Sequence, residues 1–226
     1  MTEDAAIVLF GDLIHSRREP AASAAWLRRL VDELDAAYGP DRLAPFGFTQ
    51  GDELQGLLGP SADPFRAVLL GMLLPDARPA RWVVVAGPVE PGEGPATERT
   101  GEAFLRARQA IARARARREG LLVETGDPRA DELLADTAPA LADLLAALTD
   151  RQRAVARLIL LDGLRQAEVA DRLGIRRATV SVMAGRGRIP LISGLLAAVR
   201  RLFGEGLTAA SGGAAASGGA AVGAGR

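Results

Sequence analysis

The stretch from Gln166 to Gly185 reads QAEVADRLGIRRATVSVMAG and decides the architecture of the C-terminal part of the chain. Two helices that cross steeply need a small residue where they touch, which Ala170 supplies, and a turn residue that tolerates a positive φ, which Gly174 supplies. The stretch therefore predicts a helix-turn-helix over residues 166–185. The apolar residues at helical spacing that would close its packing are Val169, Leu173, Ile175, Val180 and Met183.

The helices on either side of the turn can be placed from their end signals. A helix over residues 149–161 is predicted to cover the pair, and Thr149 is suited to be its N-cap. The second helix of the motif, the recognition helix, is predicted to run from about Arg177 to Ala184. We expect it to be short, because Arg176 stands where Ser or Thr often caps such a helix and glycines follow at 185 and 187.

The charge of the chain is divided between its two ends. Residues 1–99 hold 9 arginines and 15 acidic residues, whereas residues 149–206 hold 11 arginines and 5 acidic residues. A basic segment that carries a helix-turn-helix predicts double-stranded DNA as its partner, and a helical domain used only for dimerisation is the alternative. The residues predicted to contact DNA are Arg176, Arg177, Ala178, Thr179, Ser181, Arg186 and Arg188.

The composition excludes several classes of site. The chain has no cysteine, so disulfides, thiolate metal sites and cysteine nucleophiles are excluded, and all 28 basic residues are arginine, which excludes lysine chemistry. The single histidine, His15, argues against a histidine metal site or a Ser-His-Asp triad. Acidic residues stand where a signal peptide would carry bases, and no apolar run approaches the roughly 20 residues that span a bilayer. We expect a cytoplasmic protein without a membrane segment.

The first half of the chain alternates strand and helix signals. Their order is strand, helix, strand, strand, helix, strand, helix, strand, which is a ferredoxin-like split βαβ pattern with an extra element and predicts an α+β fold. The predicted strands lie at residues 5–10, 46–49, 53–58, 81–87 and 120–125, and the predicted helices at residues 21–38, 63–74 and 101–118.

The whole chain is then predicted to have three parts. Residues 1–126 form the ferredoxin-like, palm-type α+β domain. Residues 129–204 form an all-α domain with the helix-turn-helix, in which Pro139 separates two helical stretches. Residues 207–226, made mostly of Ala, Gly and Ser, form a disordered tail because they cannot bury enough apolar surface to fold.

Two acidic motifs mark a candidate site in the N-terminal domain. Asp12 follows the first strand and Asp52 lies at a hairpin, and a split βαβ fold brings these two strands together at one sheet edge. Neighbouring carboxylates repel each other unless a cation such as Mg²⁺ or Mn²⁺ lies between them, so the pair predicts a metal site able to hold a nucleotide phosphate. The alternative is that both residues only form turns. Glu53 is a weaker ligand, because strand neighbours face opposite sides.

Four motifs follow one another along the chain. They are Gly11-Asp12-Leu13 with Ser16-Arg17, then Gly51-Asp52-Glu53-Leu54-Gln55-Gly56, then Gly101 to Arg108, and the helix-turn-helix. In this order they resemble the SatD family of bacterial proteins over nearly the whole chain except the tail. Residues 148–158 and 166–175 are also similar to the region-four module of sigma factors and response regulators. The resemblance implies a transcription regulator that binds DNA.

The two Asp motifs are more distantly similar to those of class III nucleotidyl cyclases and related palm domains. This resemblance implies Asp12 and Asp52 as metal ligands, with the backbone carbonyl of Leu13 as a third. Ser16 and Arg17 are candidate phosphate contacts, although Arg17 also fits a solvated surface, and Arg108 could steady phosphate charge. Purine cyclases usually place Lys where this chain has Phe48 and Asn where it has Phe104, so purine cyclisation is not expected.

Three hypotheses follow for the whole chain. It is a DNA-binding regulator whose palm-like domain binds a nucleotide and a divalent metal, or an enzyme of nucleotide phosphoryl transfer that docks through its helix-turn-helix, or a regulator whose degenerate palm only mediates dimerisation. We favour a regulator without turnover. A homodimer is expected, because modules of this kind often bind paired DNA half-sites.

Overall fold

The computed structural model describes residues 5–49 and 52–218, and it contains five strands and eight α-helices in that part of the chain. Short 3₁₀ turns lie at Ser16–Arg18, Gly39–Asp41 and Ala96–Glu98. The strands are β1 (Ala5–Leu13), β2 (Arg42–Phe48), β3 (Glu53–Leu58), β4 (Ala80–Pro88) and β5 (Leu121–Glu124). The helices are α1 (Pro20–Tyr38), α2 (Phe65–Leu73), α3 (Glu102–Arg117), α4 (Pro128–Ala146), α5 (Asp150–Leu160), α6 (Gln166–Leu173), α7 (Arg177–Arg186) and α8 (Ile189–Gly218).

The five strands form one sheet in the order β2-β3-β1-β4-β5. The first four have the ferredoxin-like arrangement, since β1 lies antiparallel between β3 and β4, and β2 pairs antiparallel with β3. The added strand β5 pairs parallel with β4 through the α3 crossover. This confirms the α+β fold predicted from the order of the elements.

Successive side chains along a strand point to opposite faces of the sheet, so they pack into two different cores. On one face, Leu9 and Trp82 pack with α1 and α2, and the ring of Trp82 lies against Gly71, where a Cβ atom would be 1.9 Å from the Trp82 Cζ2 atom. On the other face, Phe10 and Phe104 pack between the sheet and α3, with 6.2 Å between their ring centroids. The sheet is therefore covered on both sides, and α3 determines what lies over the second face.

The edge strand β2 begins earlier than its sequence predicts. It starts at Arg42 instead of Phe46 and includes the exposed Pro45. Its pairing with β3 shifts register between Arg42 and Ala44 and again between Ala44 and Gly47. Proline is compatible with an edge strand, because no second neighbour needs its missing N–H group.

The helical part of the chain shares an apolar core with the sheet. Asp127 caps α4 with a bond from the Ala130 N–H group, close to the predicted domain boundary. One continuous cluster of buried residues nevertheless extends from Leu9 in β1 to Phe203 in α8. The rings of Phe203 and Phe65 meet edge to face with their centroids 5.5 Å apart.

Two details of the helices differ from the sequence prediction. Pro139 lies inside the continuous helix α4 and does not separate two helices, because buried residues on both sides, among them Ala138 and Leu141, hold the helix to its neighbours. Helix α8 extends to Gly218, into the segment where the composition predicts a tail. In that segment the Thr208 and Ser211 hydroxyls donate to backbone carbonyls four residues earlier. Residues 219–226 lie outside the described residues.

Within the described ranges, no single helix is long and apolar enough to cross a membrane. Only α7 and the part of α8 up to Gly212, bent by 59° at their junction, meet the length and composition criteria as a pair.

Candidate nucleic-acid interface and acidic sheet edge

The turn between α6 and α7 is built as its sequence predicts. Gly174 ends α6 with φ of 64°, and the Ile175 N–H group donates to the Ala170 carbonyl at 3.0 Å. Glycine adopts this left-handed conformation without the steric cost that a Cβ atom adds. Ala170 is buried at the contact, and Val169 and Val180 are fully buried. The helix-turn-helix prediction is confirmed.

Helix α5 holds the motif in place. Its N-terminus has a capping box, in which the Gln152 N–H group donates to Thr149 Oγ1 at 3.4 Å and the Thr149 N–H group donates to Gln152 Oε1 at 2.9 Å. The two bonds satisfy N–H groups that an uncapped helix leaves free. The buried Val155 and Ala156 lie on this helix, which contacts both α6 and α7.

The recognition helix presents its polar residues to solvent. It extends to Arg186, two residues beyond the predicted end, and Gly187 follows as its C-cap. The N-cap residue Arg176 makes no side-chain capping bond, as the sequence leads one to expect. The residues predicted to contact DNA are all exposed, namely Arg176, Arg177, Ala178, Thr179, Ser181, Arg186 and Arg188.

The structure adds one apolar residue to this surface. Val182 is 52% exposed and follows Ala178 by one helical turn, next to Ser181. An exposed valine on a recognition helix can contact the methyl group of thymine in the major groove. Its spacing from the buried Val180 and Ala184 is the signal that places Val182 on the outer face. Arg188, by contrast, lies beyond α7 in a left-handed conformation with φ of 52°.

The predicted acidic residues do meet at one edge of the sheet. Asp12 at the end of β1 lies opposite Glu53 at the start of β3, and the Leu13 N–H group donates to the Asp52 carbonyl oxygen at 3.1 Å. The Asp52 carboxylate accepts a hydrogen bond from the buried Ser16 hydroxyl. The two motifs are therefore neighbours, as the split βαβ pattern predicts.

The Asp12 carboxylate is held by two arginines. It accepts hydrogen bonds from Arg115 Nε at 2.9 Å and Arg115 Nη2 at 2.5 Å, and from Arg81 Nη1 at 3.3 Å. The Asp12 side chain is 4% exposed. Its hydrogen bond raises the pKa of Arg115 above the usual range, and the charges of Glu53 and Asp52 add to that increase while burial opposes it. The Arg115 guanidinium therefore stays charged at any physiological pH.

This arrangement bears on the metal site at Asp12, Asp52 and the Leu13 carbonyl, which stays a prediction. A divalent cation would have to displace guanidinium groups that already satisfy the carboxylate, and the positive charge of Arg115 and Arg81 repels a cation there. Within the described residues, no group of three or more His, Cys, Asp and Glu side chains could hold a metal ion. Sequence reasoning missed both arginines, which lie 69 and 103 positions from Asp12.

Two of the three predicted phosphate contacts, Ser16 and Arg108, have side chains that the structure describes. Ser16 is turned inward to Asp52. Arg108 is exposed on α3, seven residues before Arg115 and therefore on the same side of that helix. The side chain of Arg17 lies outside the described residues. Two other arginines of α3, Arg106 and Arg113, bind Glu124 in β5.

Three comparisons with known proteins bear on these sites. No curated protein matches the chain. A solved structure, the regulator of polyketide synthase expression from Bifidobacterium adolescentis, aligns over 88% of this chain and 81% of its own at 15% identity, with a TM-score of 0.27. Residues 139–189 match the family described as Sigma-70, region 4. That segment contains the complete helix-turn-helix and α5, and its match points to DNA-binding regulation of transcription.

Proposed function

We propose that this protein is a transcription regulator of the SatD type that binds double-stranded DNA by placing α7 in the major groove. The observation that carries the proposal is the exposed face of α7, which begins with two adjacent arginines, on a helix-turn-helix of the sigma-70 region 4 family. In such motifs the second helix lies in the major groove, where its exposed side chains contact phosphates and base edges.

The charges of this face suggest which of its residues contact phosphates and which contact bases. Arg176 and Arg177 lie at the N-terminus of α7, where free backbone N–H groups and the helix dipole also favour a phosphate. Ser181 and Val182 lie one turn further along and are suited to the bases. Phosphate contacts carry little sequence information, so most of the specificity would come from the second pair and from a second copy of the chain. A homodimer on paired half-sites is part of the proposal.

Fluorescence anisotropy with a DNA duplex selected from a random pool tests this function. The Arg176→Ala/Arg177→Ala variant should bind about 25-fold more weakly, since losing about 1 kcal/mol per contact raises Kd roughly fivefold. The slope of log K against log salt should fall by about two. Arg129→Ala, an exposed arginine in the first turn of α4, should leave both values unchanged. Equal binding by the double variant and the parent would refute the proposed interface.

For the N-terminal domain, the ion pairs of Asp12 favour a palm without catalytic metal chemistry. The enzyme hypothesis needs a cation on Asp12, and Arg115 and Arg81 hold that carboxylate instead. We therefore propose a regulatory or dimerising role for this domain. Sedimentation of the full chain with and without DNA would show whether a dimer forms.

A further inference from the structure

A cavity of about 590 Å³ opens at the sheet edge where β1 ends and β4 and β5 begin. It lies between this edge and helices α4 and α5, at the junction of the sheet with the helical part that carries the helix-turn-helix. Ligand pockets typically enclose about 300 to 1,000 Å³, so the cavity has room for a small molecule. Five arginines line it, namely Arg78, Arg81, Arg115, Arg118 and Arg153.

The lining carries an excess of positive charge. Only two acidic residues, Glu119 and Asp143, accompany the five arginines in the lining, and Glu119 already pairs with Arg117 outside it at 3.8 Å. Arg81 and Arg115 share the single carboxylate of Asp12. Arg78 pairs with Glu19 at 2.8 Å, and Arg153 pairs with the exposed Asp150 at 3.2 Å. Within the described part of the chain, Arg118 forms no ion pair. An anion would therefore find the unpaired guanidinium group of Arg118 here, beside Arg81 and Arg115, which have only one carboxylate between them.

The same cavity contains polar atoms and backbone conformations that a folded protein usually avoids. The Nε atoms of Arg81 and Arg153 are buried beneath the lining, and they have no hydrogen-bond partner among the described residues. His15 and Arg118 are non-glycine residues in the left-handed region, with φ of 63° and 60°. In Arg118 this conformation ends α3 as its C-cap, and in His15 it precedes a 3₁₀ turn; left-handed non-glycine residues also recur at ligand sites.

We infer that this cavity binds a small phosphorylated anion of the nucleoside di- or triphosphate class. Guanidinium groups from several elements match a ligand with several separated charges, because each can bind phosphate oxygens in a forked geometry. Apolar lining residues such as Ile14, Met72 and Pro79 provide contact for an uncharged sugar or base. Ser16 and Arg108, two of the predicted phosphate contacts, do not line this cavity.

Arg153 connects the cavity to the helix that supports the DNA-binding face. Arg153 lies on α5, which packs against α7, whereas Arg81 and Arg118 belong to the sheet and its connections. A phosphate chain bound by Arg153 on one side and by Arg81 and Arg118 on the other would favour one position of α5 relative to the sheet. The effect on DNA rests on the proposed function, but the binding itself does not.

Isothermal titration of the full chain with inorganic pyrophosphate and with ATP, both in EDTA, tests the site directly. We expect both probes to bind, and Arg118→Asn and Arg153→Gln each to weaken binding about tenfold, as the loss of one charge-assisted contact implies. Asparagine tolerates the left-handed conformation of residue 118, so the first variant removes charge without new strain. Arg151→Gln, an exposed neighbour on α5 outside the cavity lining, is the matched control.

The results separate this inference from the proposed function. No binding of either probe at millimolar concentration, or unchanged affinity in variants whose circular dichroism matches the parent, would overturn the anion site. Retained pyrophosphate binding in Arg176→Ala/Arg177→Ala would support the cavity even if that variant bound DNA like the parent. A variant that loses DNA binding but still binds pyrophosphate with the affinity of the parent would likewise support the anion site.

Discussion

At the scale of single residues, the environment of Asp12 determines its chemistry more than its motif does. The Gly-Asp-Leu motif at the end of β1 led us to predict a cation there, yet the carboxylate receives three N–H donors from Arg115 and Arg81. A buried carboxylate is stable only when it is paired, and a cation or two guanidinium groups can serve. In this chain the arginines supply the pairing.

Asp12→Ala should therefore destabilise the protein in the absence of any metal. We expect the free energy of unfolding to fall by about 2 to 3 kcal/mol, because Arg81 loses its partner while largely buried and Arg115 returns partly to solvent. Urea unfolding in EDTA measures the change. Asp150→Ala, which removes an exposed carboxylate paired with Arg153, should cost less than about 1 kcal/mol. Stabilisation of the parent by Mg²⁺ or Mn²⁺ that disappears in Asp12→Ala would contradict this interpretation and favour the metal site.

At the scale of elements, α5 and α7 differ in how they begin. Helix α5 starts with a complete capping box at Thr149, whereas α7 starts with Arg176, which makes no side-chain capping bond. A helix that lacks its cap loses about 1 kcal/mol of stability. An arginine at that position is consistent with a contact to DNA phosphate that stabilises the complex by more than a cap would stabilise the helix.

Arg176→Ser should therefore change stability and DNA affinity in opposite directions. The serine hydroxyl can accept from the free N–H groups of the first turn, so we expect the free energy of unfolding to rise by about 1 kcal/mol. Loss of the guanidinium should raise Kd for the DNA duplex about fivefold. Thermal unfolding and anisotropy on the same preparation measure both. Thr149→Ala is the opposite control, with stability lowered by about 1 kcal/mol. A gain or no change in DNA affinity for Arg176→Ser would contradict the assigned role.

At the scale of the whole molecule, the sheet and the helical part are joined by packing and by ion pairs. Phe203 of α8 lies against Phe65 of α2, and Arg157 of α5 pairs with Glu33 of α1 at 3.6 Å. Arg200 of α8 pairs with Asp63 at the start of α2 at 2.5 Å. These contacts connect parts of the chain that a sequence reading assigns to separate domains, and we expect them to unfold together.

A single cooperative transition is the expected result for the full chain. Both tryptophans, Trp26 and Trp82, lie in the N-terminal part, so their fluorescence reports on the sheet, while far-ultraviolet circular dichroism reports mainly on the helices. The two midpoints in urea should coincide. Phe203→Ala should lower the two midpoints equally, because the free energy of unfolding of the whole chain should fall by about 3 to 5 kcal/mol. Leu191→Ala, an exposed leucine of the same helix, should leave them nearly unchanged. Two separated transitions would show independent domains.

The parts of this protein that its sequence predicts are those set by nearby residues. Gly174 specifies the turn of the helix-turn-helix, Thr149 the start of α5, and the order of strand and helix signals the ferredoxin-like sheet, because caps, turns and periodicity act over a few positions. The proximity of Asp12 and Asp52 also follows from that order.

The tertiary structure decided what surrounds those elements. The bond between Asp12 and Arg115 joins residues 103 positions apart, and it depends on how α3 crosses the second face of the sheet. The arginine-lined cavity likewise exists only where α4 and α5 close over the sheet edge. No local pattern encodes the direction of such packing, since it is set by the fit of apolar faces over the whole chain. The sequence thus determined the helix-turn-helix, and the fold decided that Asp12 is neutralised by arginines.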